Sequence, residues 1–435
     1  MIYFALYNFY YILLVFFLFL YYNIEYKDGK KLYMKEYENM KDKTQKNGQN
    51  HTSGMRDMTA YYILIYCAAS IYIYLPKYLQ QGPKLSVEQN GVVQSIGPLV
   101  AIIMPFIWGQ IADKSKSRNI VWAVVVGGSA LTVSLVPLSG NFFYIIIMLA
   151  AVSIFQTSIP SLADSVCSEI CSANSWDLGL RRRFAPLCYA AFTFLAGAFF
   201  RMDKSDIFIA YGLLAAVALI PLLKLPKVPG YRFRRTKTPF YKLFTNKPLL
   251  ILYCFNFCIF LTSSYYYSFF LLYFTSDVVG GATALYGVCN ALASISEFPF
   301  LLVVGKIIRR RGVTTAFMIG LSLLALRWLL IGLVPNPYAL TGINMLHGFS
   351  FACINYCVVI YINQYVQPEF KASGQTFSGI ICYGVTKVIG SAAGGWLTGI
   401  FGYQAMFISI GVFMALVAAA YALMIPRINR YETQQ

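Results

Sequence analysis

The stretch Gly91–Arg118, "GVVQSIGPLVAIIMPFIWGQIADKSKSR", decides the kind of fold that this chain adopts. Its first part carries no charge as far as Ala112, and its last part is a short loop with three basic residues. About 20 helical residues cross the hydrocarbon core of a bilayer, because an α-helix rises about 1.5 Å per residue. The stretch therefore predicts a membrane-spanning helix that ends in a basic loop.

The composition of the whole chain agrees with a membrane protein. Of its 435 residues, 58% are hydrophobic and only 12% are charged, whereas charged residues make up about 25% of a soluble domain. Only helices and closed barrels cross lipid, because lipid offers no hydrogen-bond partners to the backbone. The apolar runs are longer and more continuous than the alternating strands of about 9–11 residues that build barrels. The predicted fold class is an all-α polytopic membrane protein.

Twelve apolar runs are long enough to be membrane spans, and together they form the main body of the chain. They cover residues 59–80, 88–112, 119–139, 142–165, 181–201, 206–224, 248–275, 281–305, 313–334, 338–366, 372–398 and 402–425.

The basic residues, which give a formal net charge of +18, lie mainly in alternate loops between these runs. On a soluble protein this charge would suggest nucleic acid as a partner, but loops rich in Lys and Arg mark the cytoplasmic side of a membrane protein. We therefore predict no nucleic-acid partner, a multi-pass protein of the plasma membrane, and a cytoplasmic C-terminus. The most basic loop, residues 224–247, would also suit anionic lipid. The other loop residues concerned are Lys114, Lys116, Arg118, Arg181, Arg182, Arg183, Lys306, Arg309, Arg310, Arg311, Lys371, Arg427 and Arg430.

Residues 1–57 differ from the rest of the chain. They begin with a twenty-two-residue apolar block, "MIYFALYNFYYILLVFFLFLYY", which has no basic residue in front of it, and continue as a Lys-rich linker. A secretory signal would need a basic start and a small-residue cleavage site. Two interpretations stay open: the block is a thirteenth helix with its N-terminus outside, or translation starts at Met55 or Met58.

The main body divides into two halves with related sequences. The stretch that starts at Gly287, "GVCNALASISEFPFLLVVGKIIRRRG", has the same Gly-Val opening as the one that starts at Gly91, and each has a second glycine eighteen residues on. Two related six-span halves are a common plan for transporters. We predict a six-helix bundle over 58–224, a cytoplasmic loop over 225–247, a second bundle over 248–425 and a cytoplasmic tail over 426–435.

The loop "GQIADKSKSR" resembles the signature loop of the major facilitator superfamily, Gly-x-Leu-Ala-Asp-Arg-x-Gly-Arg-Arg between helices two and three. Lys116 stands where a glycine is usual, and the second copy, "GKIIRRRG", has Arg309 where the aspartate would be. The resemblance implies a gating loop, in which the first glycine lets helices approach closely and the aspartate pairs with basic groups across the boundary between the halves. The residues concerned are Gly109, Asp113, Lys114, Arg118 and, in the second copy, Gly305.

Four further stretches resemble the branch that contains lactose permease, nucleoside permease and phenylpropionate permease. This resemblance implies the major facilitator fold, with two pseudo-symmetric six-helix bundles. It also implies a secondary active transporter that needs no cofactor and is not an enzyme. The stretches are Gly97–Asp113, Pro160–Ser165, Glu297–Gly312 and Leu326–Ala352.

Five ionisable residues in or beside the spans match charged positions of the lactose-permease pattern: Asp164, Arg182, Glu297, Arg327 and His347. A charge at the centre of a membrane helix costs about 2.5–3.5 kcal/mol, so such residues usually face a cavity or a partner. Counted from the nearest span end at about 1.5 Å per residue, the last three lie near mid-depth. We expect Arg327 to balance Glu297, with His347 beside them.

Polar residues at helical spacing extend this candidate site. Asn290 shares a face of span eight with Glu297, and Asn344 shares a face of span ten with His347. Less specific interpretations stay open: a structural Glu–Arg pair, a packing histidine, a solvated helix-end carboxylate at Asp164 and an ordinary loop arginine at Arg182.

Two positions in this region depart from the sugar-permease pattern. Ser350 stands where those permeases have a second, proton-carrying glutamate, so Glu297 or Asp164 would have to carry any coupled proton. Lys387, in span eleven, is a further charge without an evident partner.

The sequence thus predicts a monomeric transporter in the lipid bilayer that carries a small-molecule solute: a sugar, a nucleoside or an aromatic acid. We expect protons as the coupling ion and alternating access as the mechanism. An efflux transporter of hydrophobic compounds and a non-transporting membrane sensor are the alternatives. The ten cysteines have only two histidines beside them and read as buried apolar residues rather than metal ligands.

Overall fold

The computed structural model describes residues 48–230, 247–365 and 378–433. The apolar block of the N-terminus, the centre of the basic loop and the last two residues lie outside this range, so the predicted thirteenth helix does too. The chain divides into two compact units, residues 1–55 and 56–435, and the fold below is that of the second unit.

The residues that the structure describes form helices, turns and short connections, with no strand among them. Because the helices are numerous, we refer to residues 56–230 as the first half and to residues 247–433 as the second half. The helices of the first half are α1 (Gly48–Ile71), α2 (Leu75–Gln81), α3 (Val87–Ala101), α4 (Met104–Lys114), α5 (Arg118–Leu135), α6 (Phe142–Gln156), α7 (Ile159–Asn174), α8 (Leu178–Arg182), α9 (Ala185–Phe199) and α10 (Asp206–Lys224). Those of the second half are α11 (Lys247–Phe274), α12 (Thr283–Leu333), α13 (Pro337–Ile343), α14 (Leu346–Tyr365) and α15 (Thr386–Thr433).

Two of these helices are longer than a membrane is thick, and each is interrupted by a glycine. Gly312 in α12 has φ 85°, and Gly402 in α15 has φ 79°. This left-handed conformation is open to glycine without the steric cost that a side chain adds. Each long segment therefore consists of two helices that meet at the glycine.

Nine helical segments among the described residues are long and apolar enough to cross a membrane. The predicted fifth span corresponds to α9, which has 15 residues, fewer than the roughly 20 that cross the hydrocarbon core. The predicted count of twelve spans therefore stays a prediction. The nine segments are Ser53–Gln81, Val87–Lys114, Arg118–Leu138, Phe142–Asn174, Asp206–Lys224, Leu250–Phe274, Val303–Leu333, Pro337–Tyr361 and Ser378–Ile425.

The helix ends near Lys114, Arg182, Lys224 and Gly312 carry most of the basic residues, and we call this side of the molecule the basic face. Here the start of the linker packs on the first half: the Arg118 amide donates to the Val228 carbonyl at 2.9 Å. The side chain of Asn119 accepts a hydrogen bond from the Val228 amide at 2.9 Å. These two hydrogen bonds hold the start of the basic loop, up to residue 230, against α5.

Arg118 is the central side chain of this region. It is 5% exposed, contacts Glu169 at 2.9 Å, and also donates to the Ser165 hydroxyl. Asp113, which was expected to pair across the boundary between the halves, instead lies 3.8 Å from Arg118 within the first half. In this conformation the ion-pair partner of Asp113 thus belongs to its own loop, and pairing across the boundary stays a prediction.

We predict that Arg118→Gln lowers the free energy of unfolding by about 1.5–3 kcal/mol, since a hydrogen bond to a charged group contributes this much. The substitution leaves the Glu169 carboxylate without its arginine. Chemical unfolding of the purified protein in detergent measures the change. Lys116→Gln, at an exposed position of the same loop, is the matched control and should change stability by less than about 0.5 kcal/mol. Equal stability of the two variants would contradict a structural role for Arg118.

The helix ends near Gln81, Phe199, Phe274 and Gly402 form the opposite face, and here the two halves pack tightly. The Gly91 and Gly395 backbones approach so closely that a Cβ on Gly395 would lie 2.9 Å from the Cα of Gly91. A Cβ on Gly287 would lie 2.9 Å from the Cα of Phe194. Small residues thus bring α3 against α15, and α9 against α12, as in other membrane interfaces.

By contrast, the close approach expected at Gly109 is wrong for this structure. A Cβ on Gly109 would meet nothing within 4 Å, and one on Gly305 would meet only the Arg309 side chain of its own helix, at 3.7 Å. Both glycines lie at the basic face, whereas the halves meet through glycines at the opposite face. In this conformation the halves therefore meet through the glycines of the opposite face.

Candidate functional site

Arg327 lies at the centre of a polar cluster in the second half. Its side chain is almost fully buried, with 1% exposed. One terminal nitrogen lies 3.0 Å from His347 Nδ1, and the other donates to Asn344 Oδ1. Its guanidinium carbon also lies 4.3 Å from the ring centroid of Tyr266 and 4.6 Å from that of Trp328. Hydrogen bonds and cation–π contacts therefore hold the arginine in one place.

Asn344 is the residue that fixes the arginine. It lies in the break between α13 and α14 and is fully buried. Its carbonyl oxygen also accepts a hydrogen bond from the Tyr266 hydroxyl at 2.8 Å, and its amide nitrogen lies 3.2 Å from Cys289 Sγ. Asn344 was expected to face the solute, but these contacts make it a support for Arg327 instead.

His347 connects the arginine to Glu297. A guanidinium can only donate hydrogen bonds, so Nδ1 of the imidazole accepts, and the proton of the neutral ring is on Nε2. His347 Nε2 lies 3.6 Å from Glu297 Oε1. The expected contact between Glu297 and Arg327 is therefore indirect, because the imidazole stands between the acid and the arginine.

A small cavity adjoins this cluster, and about 20 Å³ of it can hold the centre of a water molecule in this conformation. Aromatic and aliphatic side chains from α11, α12 and α14 form much of its wall. Polar groups project into it at several points, and Ser350 is one of them. Such a mixed lining is typical of small-molecule sites, where a few polar groups orient the ligand. The polar or charged lining residues are Ser263, Tyr267, Arg327, His347, Ser350 and Asn355.

A second charged cluster lies in the first half, towards the basic face. Arg182, at the end of the short helix α8, contacts Asp164 Oδ1 at 2.8 Å. The Tyr62 hydroxyl donates to the same carboxylate oxygen at 3.1 Å, and Arg182 donates to the Tyr66 hydroxyl at 2.9 Å. Both charged side chains are about one-third to one-half exposed, at 34% and 44%. The pair is open to water and can still reach a ligand.

Asn290 lies apart from both charged clusters. It is partly buried on α12, and the Tyr189 hydroxyl of α9 is a polar neighbour of its side chain. It therefore stands at the boundary between the halves. Lys114 ends α4 at the basic face and is exposed.

Lys387 acquires a neighbour that the sequence did not suggest. Its ammonium nitrogen lies 5.1 Å from the ring centroid of Tyr267. The same ring stands edge-on to His347, with 6.4 Å between the two centroids.

Sequence reasoning missed the residues that hold the charged groups: Tyr62, Tyr66, Tyr266 and Glu169. The three tyrosines lie in aromatic-rich helices where most rings only pack, so nothing in the sequence marks the ones with a polar partner. Glu169 carried a usable signal, because a carboxylate on a helix that ends at the basic face needs a cation. In the described part of the chain, no group of three or more Cys, His, Asp or Glu side chains could hold a metal ion.

Comparison with known proteins gives consistent matches over most of the chain. The family model described as MFS_1 like family matches residues 55–409. The chain is 24% identical over 362 residues to the uncharacterized transporter YwbF of Bacillus subtilis (strain 168), covering 81% of this chain and 88% of that protein. It is 22% identical over 295 residues to the maltose permease of Geobacillus stearothermophilus, covering 67% and 74%.

Among solved structures, the chain is similar to the crystal structure of the nucleoside transporter NupG. The TM-score is 0.75 at 18% sequence identity, and the match covers 86% of this chain and 99% of that chain. At this identity the likeness shows the fold alone, and the fold is that of a major facilitator transporter.

Proposed function

Because the chain belongs to the MFS_1 like family, within the major facilitator superfamily of transporters, we propose that it moves a small polar organic solute by proton-coupled symport. Its relatives are permeases and transporters rather than enzymes. Its apolar helices make it a multi-pass membrane protein. We further propose a sugar, a nucleoside or an aromatic acid as the solute, protons as the coupling ion, the plasma membrane as the location and a monomer as the functional state.

Alternating access is the proposed mechanism, with bundles at 58–224 and 248–425 that rock about a central site. The glycine contacts between α3 and α15 and between α9 and α12 support it, because they close the opposite face through residues of both bundles. With the basic face in the cytoplasm, this conformation is closed to the outside. The C-terminus would then also be cytoplasmic.

Glu297 is the proposed proton carrier. The proposal rests on the series of contacts from Glu297 through His347 to Arg327 beside the cavity. The carboxylate is 34% exposed and contacts the imidazole at 3.6 Å, so it is reachable from water and connected to the arginine. In its ionised form it attracts the Nε2 proton of His347 strongly; once protonated, it is neutral and attracts that proton only weakly. Proton loading can therefore move His347, which lines the cavity.

The clusters supply hydrogen-bond donors of the kind that hydroxyl-rich solutes use. A maltose permease among the relatives and the fold shared with a nucleoside transporter support a sugar or a nucleoside. An aromatic acid also fits, since the cavity wall combines aromatic rings with basic groups.

Uptake into proteoliposomes tests the proposal directly. Purified protein is reconstituted, a pH gradient is imposed, and radiolabelled maltose, uridine and phenylpropionate are offered in parallel. We expect one of them to accumulate above the external concentration, and a protonophore to abolish the accumulation. Uptake of none of these solutes, or uptake indifferent to the protonophore, would contradict proton-coupled symport.

Efflux of hydrophobic compounds is the second candidate, because Tyr266, Tyr267 and Phe351 line the cavity together. The direction of transport distinguishes efflux from uptake. Inside-out vesicles energised with an acid interior would then accumulate a hydrophobic cation such as ethidium, and the proteoliposomes above would take up none of the three polar solutes.

A further inference from the structure

We propose that Lys387 and Tyr267 form an anion-binding subsite at the edge of the cavity in the second half, so that the transported solute carries a carboxylate. This inference rests on the proposed function and narrows its solute class.

The carboxylates of the two charged clusters are balanced in this structure. Asp164 pairs with Arg182 at 2.8 Å. Glu297 connects through His347 to Arg327, at 3.6 Å and 3.0 Å. Each cluster thus contains one carboxylate and one arginine. Lys387 adds a positive charge for which the described residues supply no carboxylate within ion-pair distance.

Lys387 cannot easily reach water at the basic face. It lies nine residues after Ser378, the first described residue of this segment, so it is roughly 13 Å further along the helix, beyond the reach of a lysine side chain. A charge held at this depth costs about 2.5–3.5 kcal/mol, so such residues generally face a cavity or a partner.

The neighbour of this ammonium group is a neutral ring that faces the cavity. Lys387 Nζ lies 5.1 Å from the Tyr267 ring centroid, and Tyr267 lines the cavity and is 46% exposed. A cation–π contact holds an ammonium group but does not neutralise it. The positive charge is therefore left for something that enters the cavity.

Tyr267 also sets the shape of that ligand. Its ring is a neighbour of both charged-site residues, with Lys387 Nζ 5.1 Å and the His347 ring centroid 6.4 Å from its own centroid. A ring-shaped solute that stacks on Tyr267 would present a carboxylate to the ammonium group and hydroxyl or amide groups to His347. The ammonium charge already lies in the membrane. A negatively charged solute would balance it, whereas a neutral solute would leave it unbalanced.

Matched pairs of neutral and acidic compounds test the proposal: glucose and glucuronate, uridine and orotidine, phenylpropanol and phenylpropionate. The dissociation constant of each is measured on the purified protein. We expect the acid of at least one pair to bind at least tenfold more tightly than its neutral partner. Lys387→Met should remove that preference without changing the binding of the neutral partner, and Lys387→Arg should retain it.

Other results would overturn the proposal. They are equal or tighter binding of the neutral partner in every pair, an acid preference that survives Lys387→Met, and no binding by any of the six compounds. Lys387→Gln is the second neutral variant; if both neutral variants fail to fold while Lys387→Arg folds, the lysine is structural and the subsite is refuted. Proton-driven uptake of a neutral solute in preference to its acidic partner would refute the subsite but keep the proposed function, whereas absence of any transport would refute both.

Discussion

In the Glu297→Gln variant, solute accumulation driven by a pH gradient should disappear while exchange of solute across the membrane continues. One pH unit is worth about 1.4 kcal/mol per proton, so symport with one proton sustains about tenfold accumulation. Glutamine keeps the size of the side chain and a carbonyl oxygen towards His347, but it cannot take up or release a proton. The accumulation ratio should therefore fall from about ten to one. Proteoliposomes with an imposed gradient measure the ratio, and solute counterflow measures exchange.

Asp203→Asn is the matched control, because this acid lies in an exposed loop beside Lys204 and away from the cavity. It should accumulate solute as the unchanged protein does. Normal accumulation by Glu297→Gln would remove Glu297 from the coupling step, and Asp164→Asn would then be the next variant to measure. Loss of exchange together with accumulation would instead indicate that Glu297 binds the solute.

The membrane-spanning character and the depth of the charged residues could be predicted from the sequence. Apolar runs and basic loops can be identified directly in the amino-acid sequence. Counting residues along each helix places Glu297, Arg327 and His347 at similar depth in the membrane. The structure brings these three together. What counting cannot supply is the order of contact, because side-chain rotamers decide that His347, rather than Glu297, touches Arg327.

The residues that hold Arg327 in place could not be recognised in that role from the sequence, for a different reason. Helical spacing picked out Asn344, but as a residue that faces the solute. Its role as a support, like that of Tyr266, depends on buried contacts to Arg327 and between the two residues. The close helix approach expected at Gly109 is also absent from this conformation. A sequence motif indicates which residues matter over a whole transport cycle. It does not show which contacts exist in one conformation.

Bulk at Gly395 should prevent the conformation seen here from forming. A Cβ at this position would lie 2.9 Å from both the Cα of Gly91 and the carbonyl oxygen of Val87, and these backbone atoms cannot move without separating α3 from α15. Overpacking costs about 1–3 kcal/mol, so the closed opposite face should lose about tenfold in population with alanine and about 100-fold with leucine. Transport should fall in the same order, because the cycle passes through this state.

Gly342→Ala and Gly342→Leu form the control series, since a Cβ at Gly342 would meet nothing within 4 Å. Conformation is read from a cysteine at Gln94, whose side chain bridges the halves by a 3.2 Å hydrogen bond to the Ser268 carbonyl. An impermeant maleimide added at the opposite face should label this cysteine slowly in the otherwise unchanged protein and rapidly in the Gly395→Leu variant. Because the leucine lies between the halves rather than inside either one, each half should keep its packing and the protein should stay folded. Slow labelling together with full transport in Gly395→Leu would show that the halves tolerate separation here, and the closed face would then have to be held elsewhere.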